Sequence, residues 1–243
     1  MTQPTLDPNL VRSSLSFAHF LYNDVWLRDV MPDRSTRVIR WERWSFHDDL
    51  IAAVEHQPRL VWLKARQLGF SWFCAALHVW SALFQEDYLG GVISAGEVEA
   101  TEFLAKCRFI WEHLPYQPTL SVDNNLELRF SVSRGTIMAF PSTAKAGRGF
   151  SFSRMIVDEA AFHPFAEANY NAYEPATENG QIIVLSSAGQ EDRQVINDWF
   201  QRRWQEAPGN GFEAAFFPWS LRPGRDKVWE RERRARLSGR SGQ

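Results

Sequence analysis

The sequence predicts an α/β fold: a mainly parallel central sheet flanked by helices. Three observations lead there. Four short apolar runs, Leu60–Leu63, Gly91–Ser94, Met155–Val157 and Ile182–Leu185, lack the polar alternation of half-exposed strands, as strands buried on both faces do. Segments with apolar residues at helical spacing alternate with them, the order expected of a parallel sheet. Hydrophobic residues make up 44% of the 243, with 11 tryptophans and 18 phenylalanines, enough for a bulky core.

Taken in order, residues 1–57 hold helical patterns and loops, including Phe17–Trp26 and Phe46–Val54. Leu60–Leu63 is the first strand, followed by a helix over Ser71–Phe84. Gly91–Ser94 is the second, and Val98–His113 a second, amphipathic helix. Leu126–Phe130 and Thr136–Phe140 flank Ser133-Arg134-Gly135 as a hairpin. Met155–Val157 ends in Asp158-Glu159, and Ile182–Leu185 in Ser186-Ser187. Val195, Ile196, Trp199, Phe200 and Trp204 then mark a helix by their spacing.

The formal net charge is -2, so nucleic acid could be met only through a local patch. Two cysteines, Cys74 and Cys107, fit a reducing interior better than a disulfide-built fold. Met1–Ser14 has no apolar signal core. Gln67–Gln85 carries no formal charge, but its helix falls short of the roughly 20 residues a bilayer needs, so a buried helix in a soluble chain is expected. Past Gly224 the chain turns arginine-rich, as a solvated helix or as a DNA-facing or domain-joining segment.

Between the first strand and its helix lies Lys64-Ala65-Arg66-Gln67-Leu68-Gly69-Phe70-Ser71. Backbone N–H groups at such a helix start attract anions, and phosphate loops of the pattern G-x-x-x-x-G-K-[ST] occupy this place. Gly69 and Ser71 are in register with that pattern. Phe70 stands where the lysine belongs and cannot contact phosphate, while Lys64 occupies the place of the first glycine. The cation has moved to the front of the loop, and Arg66 adds a second inside it. Alone, the segment also reads as an ordinary strand–turn–helix.

Asp158-Glu159 at the end of a buried strand changes the balance. An isolated pair of this kind often only caps a helix, but beside a phosphate loop its members divide the work. Asp158 holds Mg²⁺ together with the Ser71 hydroxyl, and Glu159 orients the attacking water. Ser186-Ser187-Ala188-Gly189 follows another strand and reads either as a plain turn or as a γ-phosphate sensor that couples hydrolysis to movement. Gly147-Arg148-Gly149 puts an arginine on a pliable loop, either simply exposed or reaching a neighbouring subunit's phosphate. Lys145 and Arg154 are the competing cations.

With these residues the chain resembles the large terminase subunits of tailed bacteriophages, ATP-driven motors that pump DNA into capsids. The resemblance rests on Lys64–Ser71, Met155–Ala161, Ser186–Gly189 and Gly147–Gly149. Pro218-Trp219, Pro223-Gly224-Arg225-Asp226 and Trp229 look like the family's link out of its ATPase domain. It implies a P-loop NTPase fold of the additional-strand (ASCE) type, ATP with Mg²⁺, and a homo-oligomeric ring at the capsid portal in the host cytoplasm. Double-stranded DNA and the small terminase subunit are the further implied partners. Lys64 and Arg66 then serve the phosphates, Ser71 and Asp158 the metal, and Glu159 catalysis. Ser186 and Ser187 couple hydrolysis to movement, and Arg148 acts across the subunit boundary. Residues 1–57 become an N-terminal, adenine-side segment, 58–220 the ATPase core and 221–243 a basic linker.

Two departures stand out. His47 lies about where the family often has an adenine-reading glutamine, leaving Trp41 or Phe46 to stack on the base. No nuclease activity is expected of a chain ending at Gln243. The residues themselves leave two other readings open, a helicase-like ATPase and an assembly protein on a degenerate nucleotide fold.

Overall fold

The computed structural model describes residues 7–31, 35–188 and 198–238. Its centre is an eight-stranded sheet in the order β10-β3-β9-β8-β4-β7-β6-β5. The strands are β3 (Arg59–Lys64), β4 (Leu89–Ser94), β5 (Leu120–Asp123), β6 (Glu127–Phe130), β7 (Thr136–Pro141), β8 (Arg154–Asp158), β9 (Gln181–Ser186) and β10 (Glu213–Phe217). From β10 to β7 every pairing is parallel; β7-β6-β5 are antiparallel. The fold is the α/β class with a mainly parallel sheet that the apolar runs predict.

Strand β9 is inserted between β3 and β8, although it follows both in sequence. That inserted strand is the additional strand of the ASCE class. Register fixes what the insertion does: Leu63 pairs with Ser186 and Asp158 with Leu185. Lys64, Asp158 and Ser186 therefore reach the same edge of the sheet together.

Alternation along each strand feeds two cores. On one face Leu60 and Trp62 meet α4 (Phe70–Phe84) and α5 (Glu97–Glu112), with α2 (Phe17–Asn23) and α3 (His47–His56) outside them. On the other, Val61, Val157, Ile182 and Val184 pack with Tyr173 of α6 (Ala166–Tyr173) and with Trp199 and Phe200 of α7 (Trp199–Gln205). Helix α4 is walled in on nearly all sides, which is why its sequence carries no charge. Among the described residues no helix is long and apolar enough to cross a membrane. Cys74 and Cys107 are buried and unpaired with each other.

Several elements differ from the sequence reading. The Phe17–Trp26 helix stops at Asn23, where Asp24 caps it, and Trp26 begins a hairpin of β1 (Trp26–Val30) and β2 (Thr36–Arg40). Helix α1 (Pro8–Leu15) precedes it, capped by Asp7. Phe46 is the N-cap of α3, outside its first turn. Strands β5 and β10 and helix α6 were not expected. Past β10 the chain makes a short turn, Trp219–Leu221, and enters α8 (Lys227–Ser238). Val195 and Ile196 lie outside the described residues.

Candidate active site

Lys64 is the last residue of β3, buried to 7% exposure, and its Nζ lies 2.7 Å from Glu159 Oε1. Five residues on, Gly69 takes a left-handed backbone (φ 80°) and starts α4. A side chain there would find space, with only Trp41 at 3.8 Å, so glycine answers the backbone angle and not crowding. Gln67 is also left-handed (φ 62°). The backbone N–H groups of Gln67, Leu68, Gly69 and Phe70 donate to no group among the described residues. Four unengaged donors at the positive end of a 15-residue helix form a cradle for an anion.

Phe70 explains the displaced lysine. Its ring is 2% exposed and sits among Phe46, Trp62 and Phe217 at 5.9, 5.6 and 4.9 Å. The first helical position faces the core here, so a cation cannot stand there and the front of the loop supplies it.

Ser71, one residue further, donates through Oγ to Asp158 Oδ2 at 2.7 Å. The other oxygen, Asp158 Oδ1, is buried without a partner among the described residues. A hydroxyl and a carboxylate with one orphaned oxygen form a hard oxygen donor set that fits Mg²⁺, which takes few protein ligands beside substrate phosphates. Burial raises the Asp158 pKa and the charge on Glu159 adds to the rise, while Lys64 opposes it. His163 Nε2 donates to the Asp158 carbonyl at 2.7 Å and fixes the strand end.

Glu159 has a left-handed backbone (φ 56°, ψ 43°), a conformation that costs a side-chain-bearing residue energy and clusters at functional sites. The turn aims its carboxylate between Lys64 and the tip of β9, where Ser187 donates to Oε2 from its N–H (3.1 Å) and its hydroxyl (3.0 Å). Burial pushes the Glu159 pKa up, but the Lys64 ammonium and the two Ser187 hydrogen bonds outweigh it and hold the group below the ordinary range. Ser186 Oγ accepts from the Ala161 N–H at 3.2 Å, tying the same tip to the turn after Glu159. Ser186 and Ser187 therefore bear on the acid itself. Ala188 is exposed, and Gly189 lies outside the described residues.

A cavity of about 110 Å³ opens beside Asp158 and Glu159, walled on the far side by Glu99, Glu102 and Lys106 of α5. It has room for a few waters next to the Glu159 carboxylate. Sequence spacing gave no sign of these α5 residues. A larger cavity of about 480 Å³ lies at the opposite edge of the sheet, around Phe152, Ala176 and Gly180, and touches none of the motifs.

Arg148 is exposed on the loop after β7, between Gly147 (φ 75°) and Gly149 (φ 84°), and Lys145 is exposed on the same loop. In the sheet β7 stands four strands from β3; at about 4.8 Å per strand that is ~19 Å across. Arg154 begins β8, at the edge facing away from the phosphate loop, and bonds Gln181, Ser81 and Tyr88. That position removes it from the competing cations.

The adenine-side expectation needs correction. Trp41, Phe46 and His47 are 5%, 4% and 3% exposed and present no open face to a base. His47 Nδ1 accepts from Trp41 Nε1 (3.2 Å) and from the Trp44 N–H (3.0 Å), and burial drives its pKa down to about 4, so it is a neutral structural acceptor behind the loop.

Comparison with known proteins places the fold and the family. The ATPase domain of the Thermus phage P74-26 large terminase is 20% identical, with a TM-score of 0.57 over 80% of this chain and 88% of that one. The HK97 bacteriophage large terminase is 16% identical, with a TM-score of 0.61 over 88% of this chain. A large terminase from a thermophilic bacteriophage, in complex with ATP-gamma-S, is 11% identical, with a TM-score of 0.55 over 74% of this chain. This chain spans 45% of the length of each of the last two. At these identities the likeness is one of fold. No curated protein matches significantly in sequence. The family described as "Terminase large subunit, T4likevirus-type, N-terminal" matches residues 61–231, well over half of the sequence. The chain belongs to the terminase large-subunit family and carries its N-terminal domain.

Proposed function

We propose that this chain hydrolyses ATP as the motor domain of a packaging machine that drives double-stranded DNA into a procapsid. The observation that carries the reading is that two motifs remote in sequence close on one another. Lys64 meets Glu159, and Ser71 meets Asp158, each at 2.7 Å. Family membership and the unengaged N–H groups of the loop support it. So do the structures of the thermophilic bacteriophage's large terminase in complex with ADP and ATP-gamma-S.

The phosphates of ATP rest on the N–H groups of Gln67 to Phe70, with Arg66 alongside. Ser71 and Asp158 would hold Mg²⁺, which would supply positive charge to the phosphate oxygens. Lys64 exchanges its Glu159 partner for the γ-phosphate and neutralises charge there. Glu159, released from the ammonium but still held by Ser187, accepts a hydrogen bond from the attacking water and aims its oxygen at phosphorus. The new P–O bond forms as the bond from the γ-phosphorus to the β-phosphate oxygen breaks; ADP leaves with that oxygen, and one proton of the water passes by way of Glu159 to the released inorganic phosphate, which keeps the other. The tip of β9 senses the change because Ser187 holds the acid that moved. Arg148, exposed on its loop, reaches the phosphates of a neighbouring copy in a ring. The ring stands at the capsid portal in the host cytoplasm, with the small terminase subunit as a further partner.

Phosphate release tests this. Lys64→Ala and Glu159→Ala should each lose at least about 10²-fold in rate, and equal rates in all three proteins would remove the proposal. Arg148→Ala should still bind nucleotide and hydrolyse poorly, by roughly 10³-fold or more if the residue acts as an arginine finger. Mixing it with Glu159→Ala should restore activity at shared interfaces; a mixture as inactive as its parts assigns Arg148 to its own subunit.

A further inference from the structure

The segment between β10 and α8 reaches back more than 150 positions to the phosphate loop. Arg222 Nη1 donates to the Gln67 carbonyl at 2.6 Å, while its Nη2 pairs with Asp29 of β1 at 3.0 Å. Arg225 Nη1 donates to the Arg66 carbonyl at 3.0 Å, and its Nη2 to the Gln67 side-chain oxygen at 2.7 Å. Both guanidiniums rest on aromatic rings: Arg225 lies 4.7 Å from the centre of the Trp229 ring in α8, and Arg222 5.7 Å from that of Trp44. Trp229 is in turn 5.3 Å from Trp219.

The two gripped carbonyls belong to successive peptide units. In a trans peptide the C=O of one residue and the N–H of the next point in opposite directions. Holding the Arg66 and Gln67 carbonyls from outside therefore turns the N–H groups of Gln67 and Leu68 the other way. Both are without a partner among the described residues. The left-handed Gln67 backbone is the strained element that such a grip would steady.

We propose that Arg222 and Arg225 are positioning residues for nucleotide binding, presenting the Gln67 and Leu68 N–H groups to the phosphates by holding the loop's carbonyls outward. The inference rests on reading Lys64–Ser71 as the phosphate loop. It makes affinity for the phosphate chain depend on side chains that never touch it. It also makes Trp229, one step further removed, a support for that affinity.

Calorimetric titration of the full chain with Mg·ADP and Mg·ATP-gamma-S tests it, alongside steady-state hydrolysis. The Arg222→Ala/Arg225→Ala double variant should bind both nucleotides about tenfold or more weakly, the loss expected for misdirecting two backbone donors. Its KM should rise by a larger factor than its kcat falls. Arg225→Lys, which keeps one donor to the Arg66 carbonyl, should recover part of the affinity, and Trp229→Ala should lose about threefold. A role in fastening alone would lower the melting temperature of the nucleotide-free protein and leave affinity unchanged. The inference is overturned if the double variant, or both single variants should the double fail to fold, bind Mg·ADP within twofold of wild type while Lys64→Ala does not. If Lys64→Ala also binds as wild type, the phosphate-loop reading itself falls.

Discussion

Strands β8 and β9 carry polar side chains at both ends, and the two ends use them differently. At the start, Arg154 bonds the Gln181 amide oxygen (2.6 Å), the Ser81 hydroxyl (2.7 Å) and the Tyr88 hydroxyl (3.3 Å), all neutral acceptors. Gln181 passes on through its amide nitrogen to the carbonyls of Val54 and Gln57, and Tyr88 meets His78 Nδ1 at 2.7 Å. The backbone of Arg154 and Gln181 is ordinary, although Asp87 beside Tyr88 is left-handed (φ 54°) and His78 Nε2 lacks a partner among the described residues. At the far end, a buried lysine is matched with a carboxylate, one Asp158 oxygen and four loop N–H groups lack partners among the described residues, and Gln67 and Glu159 are left-handed. Polar groups that satisfy one another hold a fold together; groups left open on a strained backbone are shaped for something that arrives later.

The contrast can be broken at either end. The largest effect is expected of Phe70→Lys, which restores the usual lysine position but puts an unpaired charge among Phe46, Trp62 and Phe217. It should cost about 4 kcal/mol in urea unfolding and should not rescue hydrolysis in Lys64→Ala. A stable, active double variant would show that the loop accepts its cation at either end. Next, Arg154→Ala should cost about 3 kcal/mol, because it strips a half-buried network of its shared donor. The folded fraction should bind ATP-gamma-S as wild type does. Loss of affinity without loss of stability would erase the distinction between the two ends.

The smallest effect is on pH. Burial lowers the pKa of His78 to about 3, with the Arg154 charge adding to it, and that of His47 to about 4. Both lie below the unfolded value of about 6.5. As pH falls from about 6.5 towards 4, the unfolded chain takes up protons that the folded chain refuses, so stability drops. Each histidine should contribute on the order of 2 kcal/mol of loss at pH 5. Asp158, with its raised pKa, works in the opposite sense. The measurement is therefore the difference in unfolding free energy between wild type and His47→Gln at pH 7 and pH 5. The variant should show the shallower slope, and parallel slopes would mean that His47 is charged in the folded state.

The interior strands were legible because burial on both faces leaves no polar residue to interrupt an apolar run: Leu60–Leu63 falls within β3 and Ile182–Leu185 within β9. The β1–β2 hairpin was not, since Arg28, Asp29, Arg37 and Arg40 make both strands look like loop. Its packing comes from contacts such as Arg28 over the Phe109 ring, 4.4 Å away, which no local pattern encodes. Strand β10 hid for a related reason, being a sheet edge with Phe216 58% exposed. In the site, the loop and the acidic pair are contiguous in sequence and could be read directly. The adenine-side residues were misjudged because an aromatic looks the same in sequence whether it offers a face or fills a core. Arg222 sat in a stretch read as a linker and Arg225 at the start of one read as a solvated helix or a DNA-facing or domain-joining segment, and nothing local ties them to residues so far upstream.

The late position of β9 in the chain has a consequence for how the molecule comes into being. Strands β3 and β8 are not neighbours; the strand that joins them, β9, leaves the ribosome after both. A nascent chain that has emerged as far as residue 180 therefore holds the lysine and both carboxylates, but nothing yet sets the distance between them. The two motifs therefore come into contact only once the last central strand has joined the sheet, and the hydrolysis proposed for them waits on that strand.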